Sequence, residues 1–184
     1  MAYDPSWPIQ FEKVAAALRR ALADGPEASV EHVGSTSVPG LAAKPILDID
    51  VIVAPEDVSA AVAALVRIGY VHRGDLGVAG REAFLAPDDD PARHVYVCAA
   101  GTLNVRNHFA VRRILRSRDD LRDEYAAVKL ALAAEPDMDP STSLGHRIDT
   151  YIARKSDVLQ KVLAASDLTD AERRQILSLN DPSR

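Results

Sequence analysis

VGSTSVPGLAAKPILDIDVIV, residues 33–53, decides how the rest of the chain is read. Its last seven residues form an apolar run broken only by Asp48 and Asp50. In a strand successive side chains alternate faces, so Leu47, Ile49, Val51 and Val53 turn one way and both aspartates the other. Neighbouring carboxylates repel and lose hydration, a cost that a cation between them offsets. Two oxygen ligands on a rigid strand suit Mg²⁺, with Mn²⁺ as the alternative, because Mg²⁺ completes its octahedron with water and substrate phosphates. The same pair at a strand end facing solvent would need no cation, so the flanking sequence matters. Gly34-Ser35 closes the preceding alternating stretch ASVEHVGS, and twelve residues, 36–47, separate Ser35 from Asp48. That is enough to turn the chain back and set the glycine-serine backbone beside the carboxylates. Glycine lets a phosphate approach the main chain, whose N–H groups, with the hydroxyls of Ser35 and Thr36, can bond its oxygens. Lys44 adds a positive charge nearby.

Around this stretch the pattern is mixed α/β. FEKVAAALRRAL, from Phe11, has helical spacing and is stopped by Gly25-Pro26; PILDIDVIV is a strand, and TSVPGLAAK between the strands has room for a loop with one helical turn. EDVSAAVAALVRIGY predicts a helix closed by Gly69, and YVHRGDL, REAFLAP and RHVYVCAA are short strand candidates. From Leu103 onward the spacing is helical: NHFAVRRILRS, DDLRDEYAAVKLALAA, the long TSLGHRIDTYIARKSDVLQKVLAAS and a short LTDAERRQILSL. The expected organisation is an α/β core over 1–102 and a helical region over 103–184 that packs on it as one compact unit.

With 184 residues, 47% of them apolar, the chain can build an ordinary core. The formal charge of -5, with basic residues scattered instead of gathered into a patch, disfavours a polynucleotide partner. One cysteine excludes an internal disulfide, and no leader or membrane-length apolar run is visible, which predicts a cytoplasmic protein off the membrane. Cys98, in an apolar strand, reads as a buried, inert thiol.

A strand ending in Gly-Ser followed by one carrying Asp-x-Asp resembles the nucleotidyltransferase superfamily typified by DNA polymerase beta. EHVGSTSVPGLAAKPILDIDVIV is similar, nearly residue by residue, to the signature block of the GrpB family, bacterial proteins assigned to that superfamily. Further matches are Arg81 with Phe84, RHVYV, His108 and Arg112 with Leu115, Tyr125 with Lys129, and Tyr151 with Lys155, so the likeness spans roughly residues 5–165. It implies a nucleotidyltransferase-like mixed sheet flanked by helices, and metal-assisted transfer of a nucleoside monophosphate from a nucleoside triphosphate to a small acceptor. Asp48 and Asp50 would hold the metal and Gly34, Ser35 and Thr36 the phosphates, with Lys44, Arg81, Arg112 and Lys155 as further nucleotide-binding residues.

Two departures from the pattern stand out. Superfamily enzymes usually add a third carboxylate from a later strand, where this chain offers His94 and Tyr96 on one face. His94 is then either a general base, with a pKa near neutrality, or a solvated strand histidine. Glu82 is the other carboxylate in reach, and it reads more simply as a surface residue. Arg113 stands where relatives often have an acid. If the missing carboxylate abolishes turnover, the fold would serve as a nucleotide- or substrate-binding module; a phosphotransferase using the same metal site is the third reading. Lysines four residues from tyrosines, Lys129 and Lys155, either reach the cleft or cover the rings. Arg112, Arg113 and Arg116 could form a basic ridge, with DDLRDE available to pair with it.

Overall fold

The computed structural model describes residues 1–134 and 157–179. Its centre is a mixed five-stranded sheet of order β1-β2-β5-β4-β3, made of β1 Ala28–Val33, β2 Leu47–Val53, β3 Val71–His72, β4 Arg81–Leu85 and β5 Arg93–Ala99. β2 and β5 run parallel and the other neighbours antiparallel. Helices α1 Trp7–Leu22 and α2 Val58–Arg67 accompany the sheet; α3 Leu103–Ser117, α4 Asp119–Ala134, α5 (helical over the described residues 157–164) and α6 Asp170–Leu179 form the helical half. Among the described residues no helix is long and apolar enough to cross a membrane.

The alternation in β2 sets the register. Leu47, Ile49, Val51 and Val53 are almost wholly buried with Val95 and Val97 of β5 against Phe11, Val14 and Leu18 of α1 and Ala61 and Leu65 of α2. Each such side chain contributes roughly 1.5–3 kcal/mol. A slip of one residue would drive Asp48 and Asp50 into this core, so the pairing is strongly specified. A second core joins the loop after β1 to the helical half: Val38 and Leu41 pack with Ile114, Leu115, Leu121, Tyr125, Val158 and Val162. That loop, opened by the short 3₁₀ turn Ser35–Ser37, is thereby clamped between sheet and helices.

Several boundaries differ from expectation. α1 begins at Trp7, four residues before Phe11, because Pro8 lies in its first turn, where its fixed φ suits a helix start. Trp7 anchors that end, 2% exposed and edge-on to Tyr3. The YVHRGDL strand shrinks to Val71–His72, since Gly74 and Gly77 turn the chain away with positive φ. The basic ridge is dispersed and DDLRDE does not pair with it. Arg112 bonds Glu31, Arg113 bonds Asp167, and Arg116 bonds the Ser37 carbonyl.

His32 lies on the core face of β1, stacked on Phe11 with ring centroids 4.7 Å apart. Its Nε2–H donates to Thr36 Oγ1 at 3.0 Å, and that hydroxyl donates to the Ile46 carbonyl. Burial, and then the Arg116 and Arg112 charges against the weaker pull of Asp48 and Glu12, bring its pKa down to about 4. The unfolded chain therefore binds a proton that the folded one refuses. Stability is complete above the unfolded pKa, roughly 6.5, and falls as pH drops towards 4, by up to about 3 kcal/mol. Urea titrations at pH 7 and pH 4 should show a total loss of stability smaller by about that amount in His32→Gln, whose amide nitrogen can still reach Thr36.

Candidate functional site

On the face of the sheet opposite the α1–α2 core, β2 presents Asp48 and Asp50. Cross-strand pairing puts Val33 and Glu31 of β1 beside them on one side and His94 and Tyr96 of β5 on the other. Beyond β5, register places Ala83 opposite Tyr96 and Arg81 opposite Cys98. The expected shared orientation of the two aspartates is therefore present.

Each aspartate has a histidine. His94 Nδ1 donates to Asp48 Oδ1 at 3.1 Å, and His108 Nδ1, from α3, donates to Asp50 Oδ2 at 2.7 Å. The hydrogen bond to Asp48 raises the His94 pKa. Burial, followed by the Asp48 charge, pushes the Tyr96 phenol up, so it stays protonated at neutral pH. Cys98 is inaccessible, its thiol held high by burial and the neighbouring Asp50 charge, which fits an inert role. Asp50 is fully buried with the Cys98 thiol beside it, and by distance and angle its Oδ1 has no hydrogen-bond partner among the described residues.

Gly34 closes the site on the β1 side. With φ +68 and ψ −169 it adopts a conformation open in practice only to glycine. A Cβ there would stand 2.1 Å from Asp48 Oδ2, so Gly34 and the Asp48 carboxylate are in direct contact. Lys129 Nζ, from α4, donates to Ser35 Oγ at 2.7 Å while lying 5.4 Å from the centre of the Tyr125 ring. It both covers the ring and reaches the corner.

α3 crosses this face as a ruled stripe. Asn104 touches Cys98 on β5, His108 touches Asp50 on β2, Arg112 touches Glu31 on β1, and Arg116 holds the Ser37 carbonyl beyond it. These residues recur every four positions, the spacing of one helix face. That polar i, i+4, i+8, i+12 series was the available signal for His108 as a site residue; sequence reasoning noticed only a family match. Glu31 was also missed. It is the cross-strand neighbour of Asp50, and although burial opposes it, Ser29 and Arg112 hold its carboxyl below the usual range. A strand pairing antiparallel to the Asp-x-Asp strand must place one of its alternating faces beside the aspartates, and ASVEHV has Glu31 there.

The other expected residues divide clearly. Arg81 faces the site, its guanidinium 4.6 Å from the Tyr96 ring centre. Arg112 bonds Glu31 and the His32 carbonyl, and Thr36 bonds His32 and Ile46, so both already have partners within the fold. Lys44 is exposed and unpaired among the described residues. Glu82 points to the opposite face, opposite Val97, and bonds His72 at 2.6 Å. It does not replace the third carboxylate. Lys155 lies outside the described residues.

Among the described residues no three His, Cys, Asp or Glu side chains converge into a ready ligand cluster. The donor chemistry nevertheless fits a hard divalent cation: two carboxylates on one strand face, one with a buried oxygen that lacks a partner among the described residues, beside a glycine against which the Asp48 carboxylate packs. Such an ion would take the rest of its coordination from water and phosphate.

The sequence model described as "GrpB protein" matches residues 1–165. A UPF0157 protein of Halalkalibacterium halodurans is 34% identical over 171 residues, 92% of this chain and 82% of its own length. One from Streptomyces coelicolor is 36% identical over 84% of this chain and 80% of its own. The crystal structure of the conserved protein GrpB from Enterococcus faecalis superposes with a TM-score of 0.66 at 35% identity, covering 88% of this chain and 97% of that one. More distantly, Cid1 in complex with its short product ApU gives a TM-score of 0.51 at 16% identity, over 72% of this chain and 41% of that one. The GLD-2/RNP-8 complex gives 0.54 at 15% identity, over 88% and 59%. The last two establish the fold alone, that of the nucleotidyltransferases. On the strength of the family match and these relatives, the chain belongs to the GrpB family.

Proposed function

We propose that the protein is a divalent-cation-dependent nucleotidyltransferase that moves a nucleoside monophosphate from a nucleoside triphosphate to a small-molecule acceptor. The observation that carries this reading is the contact between Gly34 and the Asp48 carboxylate, with Asp50 on the same strand face and its Oδ1 buried without a partner among the described residues. The likeness in fold to Cid1, solved with the dinucleotide ApU, supports a nucleotide as ligand. Asp48 and Asp50 would hold Mg²⁺ or Mn²⁺, which when bound supplies charge compensation for the phosphates. The Gly34 and Ser35 main chain would cradle the outer phosphates with Lys129 above Ser35.

In the transfer, an acceptor oxygen or nitrogen forms a bond to the α-phosphorus as the bond from that phosphorus to the pyrophosphate oxygen breaks. The electron pair leaves with pyrophosphate. The acceptor proton passes to the outer ring nitrogen of His94, whose side chain is 55% exposed and can hand it to solvent. Tyr96 stays neutral and can donate a hydrogen bond across the same face.

A second reading is favoured by one observation: β5 carries His94 and Tyr96 where a third carboxylate would be expected, which suits a binding module without turnover. Incubation with each nucleoside triphosphate, Mg²⁺ and a panel of amino acids, amino sugars and alcohols separates the two. Pyrophosphate and an acceptor adduct should form, and chelation by EDTA should stop both. Triphosphate binding without pyrophosphate supports the module, and accumulation of a nucleoside diphosphate with a phosphorylated acceptor supports phosphotransfer.

A further inference from the structure

A cavity of about 300 Å³ lies beyond the carboxylate pair, over β4 and under α3 and α6. Arg81, Asn104, Asn107, His108, Gln175 and Ile176 contribute to its wall. Its size suits a small ligand. Two features of its lining are unusual. Arg81 Nε is buried without a hydrogen-bond partner, and no acidic side chain pairs with Arg81 among the described residues; its guanidinium is held instead against the Tyr96 ring. Asn107 Oδ1 is likewise buried without a partner among the described residues. Groups of this kind cost free energy unless a ligand satisfies them. Arg81 Nε and Asn107 Oδ1 have no open surface themselves, but the terminal nitrogens of a guanidinium without an acidic partner suit a planar oxyanion, and the amide of Asn107 suits a hydrogen-bonding group beside it.

Position assigns the cavity its part. The attacking and leaving groups in phosphoryl-type transfer lie roughly in line on opposite sides of phosphorus. Gly34, Ser35 and Lys129 mark the leaving pyrophosphate on the β1 side of Asp48 and Asp50. The strand order β1-β2-β5-β4 then leaves β5 and β4 for the acceptor, which is where the cavity stands. We infer that this cavity is the acceptor subsite, and that it takes a small carboxylate bearing an amino or hydroxyl group, the carboxylate on Arg81 and the donor on Asn107. The inference rests on the nucleotidyltransferase reading for the word acceptor; the ligand chemistry follows from the lining alone. Gln175 and Ile176 come from α6, which lies beyond residues 1–165 matched by the family. α6 is held by the Arg106–Glu172 ion pair and by packing of Ile176 with Ala110, Leu163 and Leu168. Part of the wall that closes the cavity thus comes from residues beyond the stretch that the family model matches.

The test is saturation-transfer NMR and calorimetry on the full chain without nucleotide. The probes are L-alanine, L-glutamate, L-lactate, glycolate, succinate, ethanolamine and inorganic phosphate. At least one amino or hydroxy carboxylate should bind, with amino against hydroxy acids telling which donor is read. Ethanolamine, which lacks the carboxylate, should not bind. Arg81→Gln should weaken the bound carboxylate by about tenfold or more, the loss expected for a charge-assisted hydrogen bond, and Asn107→Leu should weaken it with Arg81 intact. Thermal unfolding of both variants checks that they are folded, with Arg81→Lys as the second arm if Arg81→Gln is not. The inference fails if no carboxylate in the panel binds, or if Arg81→Gln weakens ATP·Mg²⁺ as much as the carboxylate, which would put Arg81 on the triphosphate. Carboxylate binding in a protein that ignores ATP·Mg²⁺ keeps the cavity and sinks the nucleotidyltransferase reading.

Discussion

Asp50→Asn is expected to abolish nucleotidyl transfer while making the metal-free protein more stable. The carboxylate is fully buried, accepts one hydrogen bond from His108 and leaves Oδ1 unsatisfied. An asparagine of the same shape keeps an oxygen for His108, puts an amide NH₂ in place of Oδ1, and removes a negative charge that only one hydrogen bond satisfies. Relief of a buried, unsatisfied charged group is worth roughly 1–3 kcal/mol. In EDTA the variant should therefore melt higher than the natural protein; with Mg²⁺ and ATP the order should reverse, because the variant gains nothing from the ion. Pyrophosphate release should fall by at least about a hundredfold, the scale of losing one preorganised electrostatic group. Asp48→Asn is the internal control. Its side chain is about a third exposed and carries no buried orphan atom, so activity should fall with stability unchanged to within about 0.5 kcal/mol. Calorimetric melting in the two media and a coupled pyrophosphate assay settle both points, and an Asp50→Asn protein that turns over normally would remove the site from consideration.

Gly34→Ala is expected to cost more than about 3 kcal/mol and to eliminate triphosphate binding. Two effects add. The φ of +68 with extended ψ strains any L side chain by roughly 1–3 kcal/mol. The new methyl would also fall 2.1 Å from Asp48 Oδ2 and 2.8 Å from its Cγ, so either the carboxylate or the strand end must move. Gly77 separates strain from collision. It has φ +78 with nothing within 4 Å of a Cβ, so Gly77→Ala should cost only about 1–2 kcal/mol. Asp48→Gly in the Gly34→Ala background should recover the collision part and leave the strain. Urea midpoints for the natural protein, Gly34→Ala, Asp48→Gly and the double variant give the coupling as a double-mutant cycle.

How far the sequence could be read follows from the kind of regularity each feature has. β2 was legible in full because a period of two with a sharp apolar-acidic contrast admits one orientation, and the turn from Ser35 to Asp48 was constrained by its length. The family resemblance matched the block that the family model and the solved relative support. The start of α1 was missed because Pro8 looks like a breaker until it is placed in the first turn. The partners of the aspartates were harder to see, since His108 lies 58 positions from Asp50 and only packing of α3 over the sheet brings them together. Thr36 and Arg112 read as phosphate groups from sequence because hydroxyl and guanidinium are the right chemistry. Their commitment to Ile46, His32 and Glu31 depends on tertiary contacts with no local signature.

The stripe on α3 has a metric consequence. Asn104 ends at the strand bordering the cavity and Arg116 at the loop carrying Ser35, twelve residues or about 18 Å along a straight helix. A rod anchored on three strands and a loop cannot stretch, so it works as a gauge between the two ends of the cleft.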